Sequence, residues 1–190
     1  MKEIIIFAGT CASGKTTVIE KINKGELPFD DRIKIDAFSD WDYYIQYKHY
    51  REKNKFKRNK SERVILHHDI YGQRIVMQND FELLSELINS FDKVSIVTLT
   101  TSASELKKRI AMRLIKTIIR MILNPKNYKI EIFRCKRHYQ VYKNYNNPDT
   151  LKNLYGDWFE YVRTLKIDNH WIVNSDRKNE YDVQRVLSYT

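Results

Sequence analysis

Two cysteines in 190 residues, Cys11 and Cys135, give the chain neither a disulfide framework nor the paired spacing of a metal-binding motif. Both read as reduced thiols of a cytoplasmic protein, with Cys11 open to oxidation. Long apolar runs are missing too. The apolar segment 113–123 is broken by Lys116 and Arg120, so no membrane span and no membrane partner are expected. Met1-Lys2 leads straight into an apolar segment, which leaves no room for a secretory leader. Three prolines and five glycines form no Pro/Gly-rich linker, and no repeat or low-complexity tract is present. The expectation is a single domain over residues 1–190 with a real core. Acidic residues are short as well, 24 Asp and Glu against 34 Lys and Arg, for a net charge of +10. That excess points to a polyanionic partner such as DNA or RNA, or else to a Lys- and Asn-rich solvated surface. Oligomeric state cannot be read from it.

What is present begins at Gly9-Thr10-Cys11-Ala12-Ser13-Gly14-Lys15-Thr16, which fits the phosphate-loop pattern G-x-x-x-x-G-K-[ST] without a mismatch. Glu3 to Ala8 before it is a short run of buried-strand type, and Thr17 to Ile22 after it opens a helix that Gly25 can end. Gly9 and Gly14 let the backbone turn tightly against phosphate oxygens, and the helix adds the positive end of its dipole there. In this pattern Lys15 reaches the β- and γ-phosphates, Thr16 holds Mg²⁺ through its hydroxyl, and Thr17 is placed to touch the α-phosphate. The pattern predicts a nucleoside triphosphate site. It does not say what becomes of the phosphate, because ATPases, GTPases and kinases share the loop.

Further along, Arg32 to Ile35 reads as a second strand delivering Asp36, and Trp41 to Lys60 as a polar, aromatic, basic segment that is helical at first. Arg63 to Leu66 is a third strand running into His67-His68-Asp69, and Gln73 to Phe91 a helix. Val94 to Leu99 is a fourth strand. Ser102 and Glu105 make a capping box for a long helix ending near Asn124-Pro125. Helices over 128–145 and 149–165, a fifth strand at Trp171 to Asn174 and a terminal helix around Tyr181 to Leu187 complete the reading. Strands alternating with helices predict a doubly wound α/β domain, five parallel strands with helices on both faces. Ligands of such sheets collect at the carboxyl ends of the strands, where Asp36, Asp69, Thr100 and Asn174 join the loop.

The helix from Ser104 to Leu123 carries Arg109, Arg113, Lys116 and Arg120 at intervals of four, three and four, on one narrow face. Leu106, Ile110, Leu114, Ile115, Ile118, Ile119 and Ile122 fill most of the remaining circumference, as on a buried helix. The bland reading of the seam is an exposed charged face. Between Trp41 and Arg63, Tyr43, Tyr44, Tyr47, Tyr50 and Phe56 interleave with eight Lys and Arg. That composition suits stacking on bases and tracking of phosphates, or a helix whose tyrosines pack on the sheet.

The loop, the acid after strand two, the arginine-bearing helix after strand four and Val173-Asn174 near the end together resemble the P-loop nucleoside and nucleotide kinases. The resemblance implies a P-loop NTPase fold with a helical lid over about 104–147 and an acceptor-binding insertion over about 37–62. It implies ATP and Mg²⁺, the latter on Thr16 and on Asp69 at the end of a Walker-B-like strand. Asp36 would bind the acceptor or act as base, unless it is a helix cap. Arg109 and Arg113 would clamp the transferring phosphoryl group from the lid, with Arg134 and Arg137 as the opposing wall. Asn174 would border the adenine, or simply start a turn. His67 and His68 read as polar strand-end residues rather than a metal site, because neighbours on a strand face opposite ways. Tyr155, Trp158, Phe159 and Tyr161 read as core. The activity expected is transfer of the γ-phosphoryl of ATP to a nucleoside or nucleotide, free or within DNA or RNA. The alternatives are a nucleic-acid-binding ATPase and a non-catalytic nucleotide-binding module.

Overall fold

Seven consecutive buried residues, Glu3–Gly9, form β1 in the middle of the sheet. An unbroken apolar run is what a strand covered on both faces requires. The computed structural model describes residues 1–24, 26, 42–45, 62–71, 80–177 and 180–186. After β1 come α1 (Lys15–Asn23), β2 (Asp42–Ile45), β3 (Arg63–Asp69), α2 (Asp80–Ile88), β4 (Lys93–Thr100) and α3 (Ala103–Leu123). A short turn, Pro125–Asn127, leads to α4 (Tyr128–Asn144), α5 (Pro148–Arg163), β5 (Asn169–Arg177) and β6 (Glu180–Val186). The strand order is β2-β3-β1-β4-β5-β6, with β1 to β5 parallel and β6 antiparallel to β5.

Alternate residues of the strands feed two cores. Ile5, Phe7 and Val97 meet Val18, Ile19 and Ile22 of α1 on one face. Ile4, Ile6 and Val94 meet Leu84 and Ile88 of α2 and Trp158 and Val162 of α5 on the other. A third cluster joins Leu106 and Ile110 of α3 to Val141, Tyr145, Leu151 and Leu154. The result is an α/β architecture with a mostly parallel sheet between helices. β1 runs on toward β2 and β4 toward β5, in opposite directions, so a crevice opens at the carboxyl ends of β1 and β4.

A chain of polar side chains inside the core is paired within itself. Trp158 Nε1 donates to Thr98 Oγ1 at 3.0 Å, and Thr98 Oγ1 lies 2.9 Å from His170 Nε2. His68 stacks on Trp158 with ring centroids 4.9 Å apart. Burial pushes the His170 imidazole down to about 4.

Several expectations need correcting. The chain has a sixth strand where a terminal helix was expected: Glu180–Val186 pairs with β5, Val173 opposite Val183. Tyr181 and Val183 pack inward while Glu180 and Asp182 are exposed, a period of two that belongs to a strand. Residues Asp42–Ile45, expected as helix, form the edge strand beside β3. Aromatic and β-branched residues favour that pairing. Asp36 itself, the Arg32–Ile35 segment and residues 46–61 lie outside the described residues. By contrast, β3 runs through His67 and His68 and closes at Asp69, as expected. Finally, α3 is not a buried helix. Only Leu106, Ile110 and Thr117 are buried, because α3 leaves the body of the protein after its second turn.

Candidate phosphate-binding site

The parallel register sets Gly9 opposite Asp69 of β3 on one side and Leu99 of β4 on the other. The chain then turns through Thr10 to Gly14 into α1. Gly9 is required by close approach, for a Cβ there would stand 2.5 Å from Ser13 Oγ and 2.8 Å from the Leu99 carbonyl oxygen. Gly14 caps α1 at φ 98°, a left-handed conformation that suits glycine, and Ala12 adopts φ 69°. The start of α1 has no side-chain cap and no acid in its first turn. By contrast, α3 is capped by Ser102 and has Glu105 in its first turn. Helix α1 thus keeps its positive end open, flanked by the exposed side chains of Thr16 and Thr17.

Lys15 lies inside the loop. Its buried ammonium donates to the carbonyl oxygens of Gly9 and Thr10, each at 2.7 Å. Burial pushes its pKa below the usual range while the Asp69 carboxylate pulls it back up. Ser13 Oγ is buried with no hydrogen-bond partner among the described residues. The oxygen donors beside the loop are the Thr16 hydroxyl and the Asp69 carboxylate, hard ligands of the kind Mg²⁺ takes, so these residues fit that ion. Asp69 Oδ1 also accepts from the Tyr71 amide at 3.2 Å. No three His, Cys, Asp or Glu side chains form a metal cage among the described residues. His67 is held neutral, pushed to about 3 by burial and then by the charge of Lys15.

Arg109 and Arg113 are used differently. Arg109 Nε donates to Glu105 Oε1 at 2.9 Å, Nη1 to the Ala12 carbonyl at 3.3 Å, and Nη2 to the carbonyls of Ser175 and Asp176. It ties α3 to the loop and to the end of β5. Arg113 is exposed, with Nη1 4.0 Å from Cys11 Sγ, and its charge acts on Lys15 and His67 across the mouth of the loop. Arg137 of α4 joins it in acting on Cys11, whereas Arg134 is engaged by Glu131 at 2.5 Å. Burial, and then Asp69, push the Cys11 thiol up, which disfavours the thiolate needed for oxidation.

Asn174 lies within β5, level with Thr100 at the end of β4 and beside an irregularity in the pairing with β6, and its side-chain oxygen accepts from the Asp176 amide at 2.9 Å. The strand thus runs past Asn174 where it was expected to close, and with the side-chain oxygen used, the amide nitrogen is what Asn174 has left to offer a base edge. Its neighbour Ser175 was not singled out in the sequence. Ser175 Oγ donates to the Ser13 carbonyl at 2.7 Å and meets Thr101 Oγ1 at 2.7 Å. Two tyrosines brace the loop from the helical side. Tyr155 Oη donates to the Leu99 carbonyl at 2.9 Å and lies 3.3 Å from Thr10 Oγ1, and burial pushes it up to about 12. Tyr145 Oη donates to the Cys11 carbonyl at 3.2 Å. Only Ser175, adjacent to Val173-Asn174, carried a local signal; the tyrosines reach the loop through tertiary packing alone.

No protein-family model matches the chain, and no curated protein matches it.

Proposed function

We propose that the protein is an ATP-dependent phosphotransferase of the P-loop kinase type, acting in the cytoplasm on a nucleoside or nucleotide, free or as a unit of DNA or RNA. The observation that carries this reading is the buried Lys15 ammonium at the centre of a glycine turn, 2.7 Å from two loop carbonyls, with Asp69 in register with Gly9. A buried ammonium beside an uncapped helix start is a place for a polyanion, and the loop's sequence fits that of a triphosphate cradle. The unpartnered Ser13 hydroxyl is one more polar group facing that turn.

The chemistry assigned to the site is positioning and charge neutralisation. Lys15 holds the β- and γ-phosphate oxygens. Thr16 and Asp69 would hold Mg²⁺, which when bound would screen the negative charge of the phosphates. Arg113, exposed at the mouth, meets the charge that spreads over the transferring phosphoryl group, and Arg137 faces it from α4. An acceptor oxygen attacks the γ-phosphorus, the bond to the β–γ bridging oxygen breaks, and ADP leaves. The acceptor proton passes to a carboxylate, and Asp36 and Asp69 are the residues to test for that step. Arg109, held by the Ala12, Ser175 and Asp176 carbonyls, is assigned to positioning the loop.

The test is transfer of labelled γ-phosphate across a panel of nucleosides, nucleotides and oligonucleotides. Acceptor-dependent labelling is expected. Phosphate release without an acceptor would make the protein an ATPase, and nucleotide binding without turnover a binding module.

A further inference from the structure

Helices α3 and α4 pack against one another as a hairpin whose base is anchored by Leu106, Ile110 and Val141. Beyond the base no core cluster of the described residues includes it. Leu123 lies about 20 Å along the axis from Ile110, thirteen residues at about 1.5 Å each. Large apolar side chains are exposed along α3 from Met112 (51%) and Ile115 (50%) through Ile118 (40%) and Ile119 (48%), and most of all at the tip, Ile122 72% and Leu123 77%, with Phe133 of α4 at 68%. This is an aliphatic end on a convex projection, flanked by the exposed cations Arg120, Lys126 and Lys129. A contiguous apolar patch of this kind marks a surface that is covered in use.

Charge says what covers it. Residues 106–143 hold twelve Lys and Arg against one acid, Glu131, so this segment carries +11 where the whole chain carries +10. A second copy would bring +11 against +11. A nucleic acid would satisfy the cations and could stack on Tyr128, Phe133 and Tyr139, but it gains nothing from Ile115, Ile118, Ile119, Ile122 and Leu123, which outnumber those rings and cannot stack. An anionic bilayer offers both halves at once, headgroup charge for the Lys and Arg side chains and an acyl boundary for the aliphatic tip.

We propose that the tip of this hairpin is a docking surface for an anionic lipid bilayer. Ile122, Leu123 and Phe133 enter the interface while Arg120, Lys126 and Lys129 lie at the level of the headgroup phosphates. No described helix is long and apolar enough to cross a bilayer, so the protein sits on the surface. The expectation of no membrane partner narrows to the absence of a spanning helix. Docking does not depend on the phosphotransferase reading, since it uses none of the residues around the phosphate loop.

Flotation of the full chain with vesicles tests this. Vesicles of phosphatidylcholine with about one-third phosphatidylserine should carry the protein, and pure phosphatidylcholine should carry at least about tenfold less. Ile122→Ser/Leu123→Ser and, separately, Lys126→Glu/Lys129→Glu should each reduce binding at least about tenfold with the melting temperature unchanged. Added salt should weaken it. Failure to bind anionic vesicles, or binding unchanged in both variants, overturns the proposal. So does single-stranded oligonucleotide binding, or self-association, that the serine variant removes while vesicle binding is absent. The first would reassign the surface to nucleic acid, the second to another copy of the chain.

Discussion

At its base the α3–α4 hairpin is all commitment: Arg109 donates to Glu105 and to three backbone carbonyls, and Tyr145, just past α4, holds the Cys11 carbonyl. At its tip the same two helices hold out Ile122, Leu123 and Phe133 to solvent. One helix, α3, spans both conditions with the same kind of sequence, an arginine seam beside β-branched apolar residues. Composition alone therefore does not decide whether an isoleucine is core. The distance from the sheet does. Near the sheet, a side chain finds β4, β5 and the loop to pack on, and the cations find carbonyls. Two turns further on, among the described residues, there is only α4, which covers one face.

The comparison yields predictions that separate base from tip. The largest effect belongs to the loop: Lys15→Ala should lower phosphate transfer by about 10² to 10³ or more, read in a labelled-phosphate assay. A comparable free energy sits in the buried histidine under the sheet. The folded state holds His170 neutral to about 4, while the unfolded chain protonates near 6.5, so the unfolded state binds more protons between those values. Stability is then present above about pH 6.5 and falls as pH drops toward about 4, by on the order of 3 kcal/mol from this residue. Denaturant titrations from pH 7 to 4 should show that slope reduced in His170→Gln. Gly9→Ala pushes a methyl group onto the Leu99 carbonyl, 2.8 Å away, and should destabilise by about 1–3 kcal/mol in the same titrations.

The arginine pair sharpens the contrast within the base. Arg109→Ala strands the Ala12, Ser175 and Asp176 carbonyls and should lower stability by about 1–3 kcal/mol. Arg113→Ala, at an exposed position, should change stability by no more than about 0.5 kcal/mol and yet slow phosphate transfer. If the two variants melt alike, the division of labour between them is wrong. The smallest effect is at the tip, where Ile122→Ser should shift unfolding by no more than about 0.5 kcal/mol, because the side chain is already in water. A large loss there would mean that the tip is core after all.

How much of this was legible beforehand follows from the range of each interaction. The loop was legible because its chemistry is local: Gly9, Gly14 and Lys15 act within eight residues, between a strand and a helix that each announce themselves. The strands β1, β3, β4 and β5 were legible as apolar runs, since strands buried on both faces need no partner to be recognised. The strand Glu180–Val186 was not, because its seven residues hold only two inward apolar side chains, and pairing with β5 rather than propensity makes it a strand. The capping box at Ser102 was half legible. Ser102 does accept from the Glu105 amide at 3.4 Å, but the Glu105 carboxylate turns to Arg109 and the Ser102 amide to Asp176. Arg109 and Arg113 were found as a pair by spacing, but their different roles depend on how far each lies from β5. Tyr145 and Tyr155 touch the loop from more than 130 residues away in sequence, beyond any local pattern.

The most direct test is a binding titration of a non-hydrolysable ATP analogue with magnesium into the full chain and into Lys15→Ala. The account predicts saturable binding to the native chain and its loss in the variant, with both proteins melting as folded. No binding to the native chain, or equal binding to both, would contradict it.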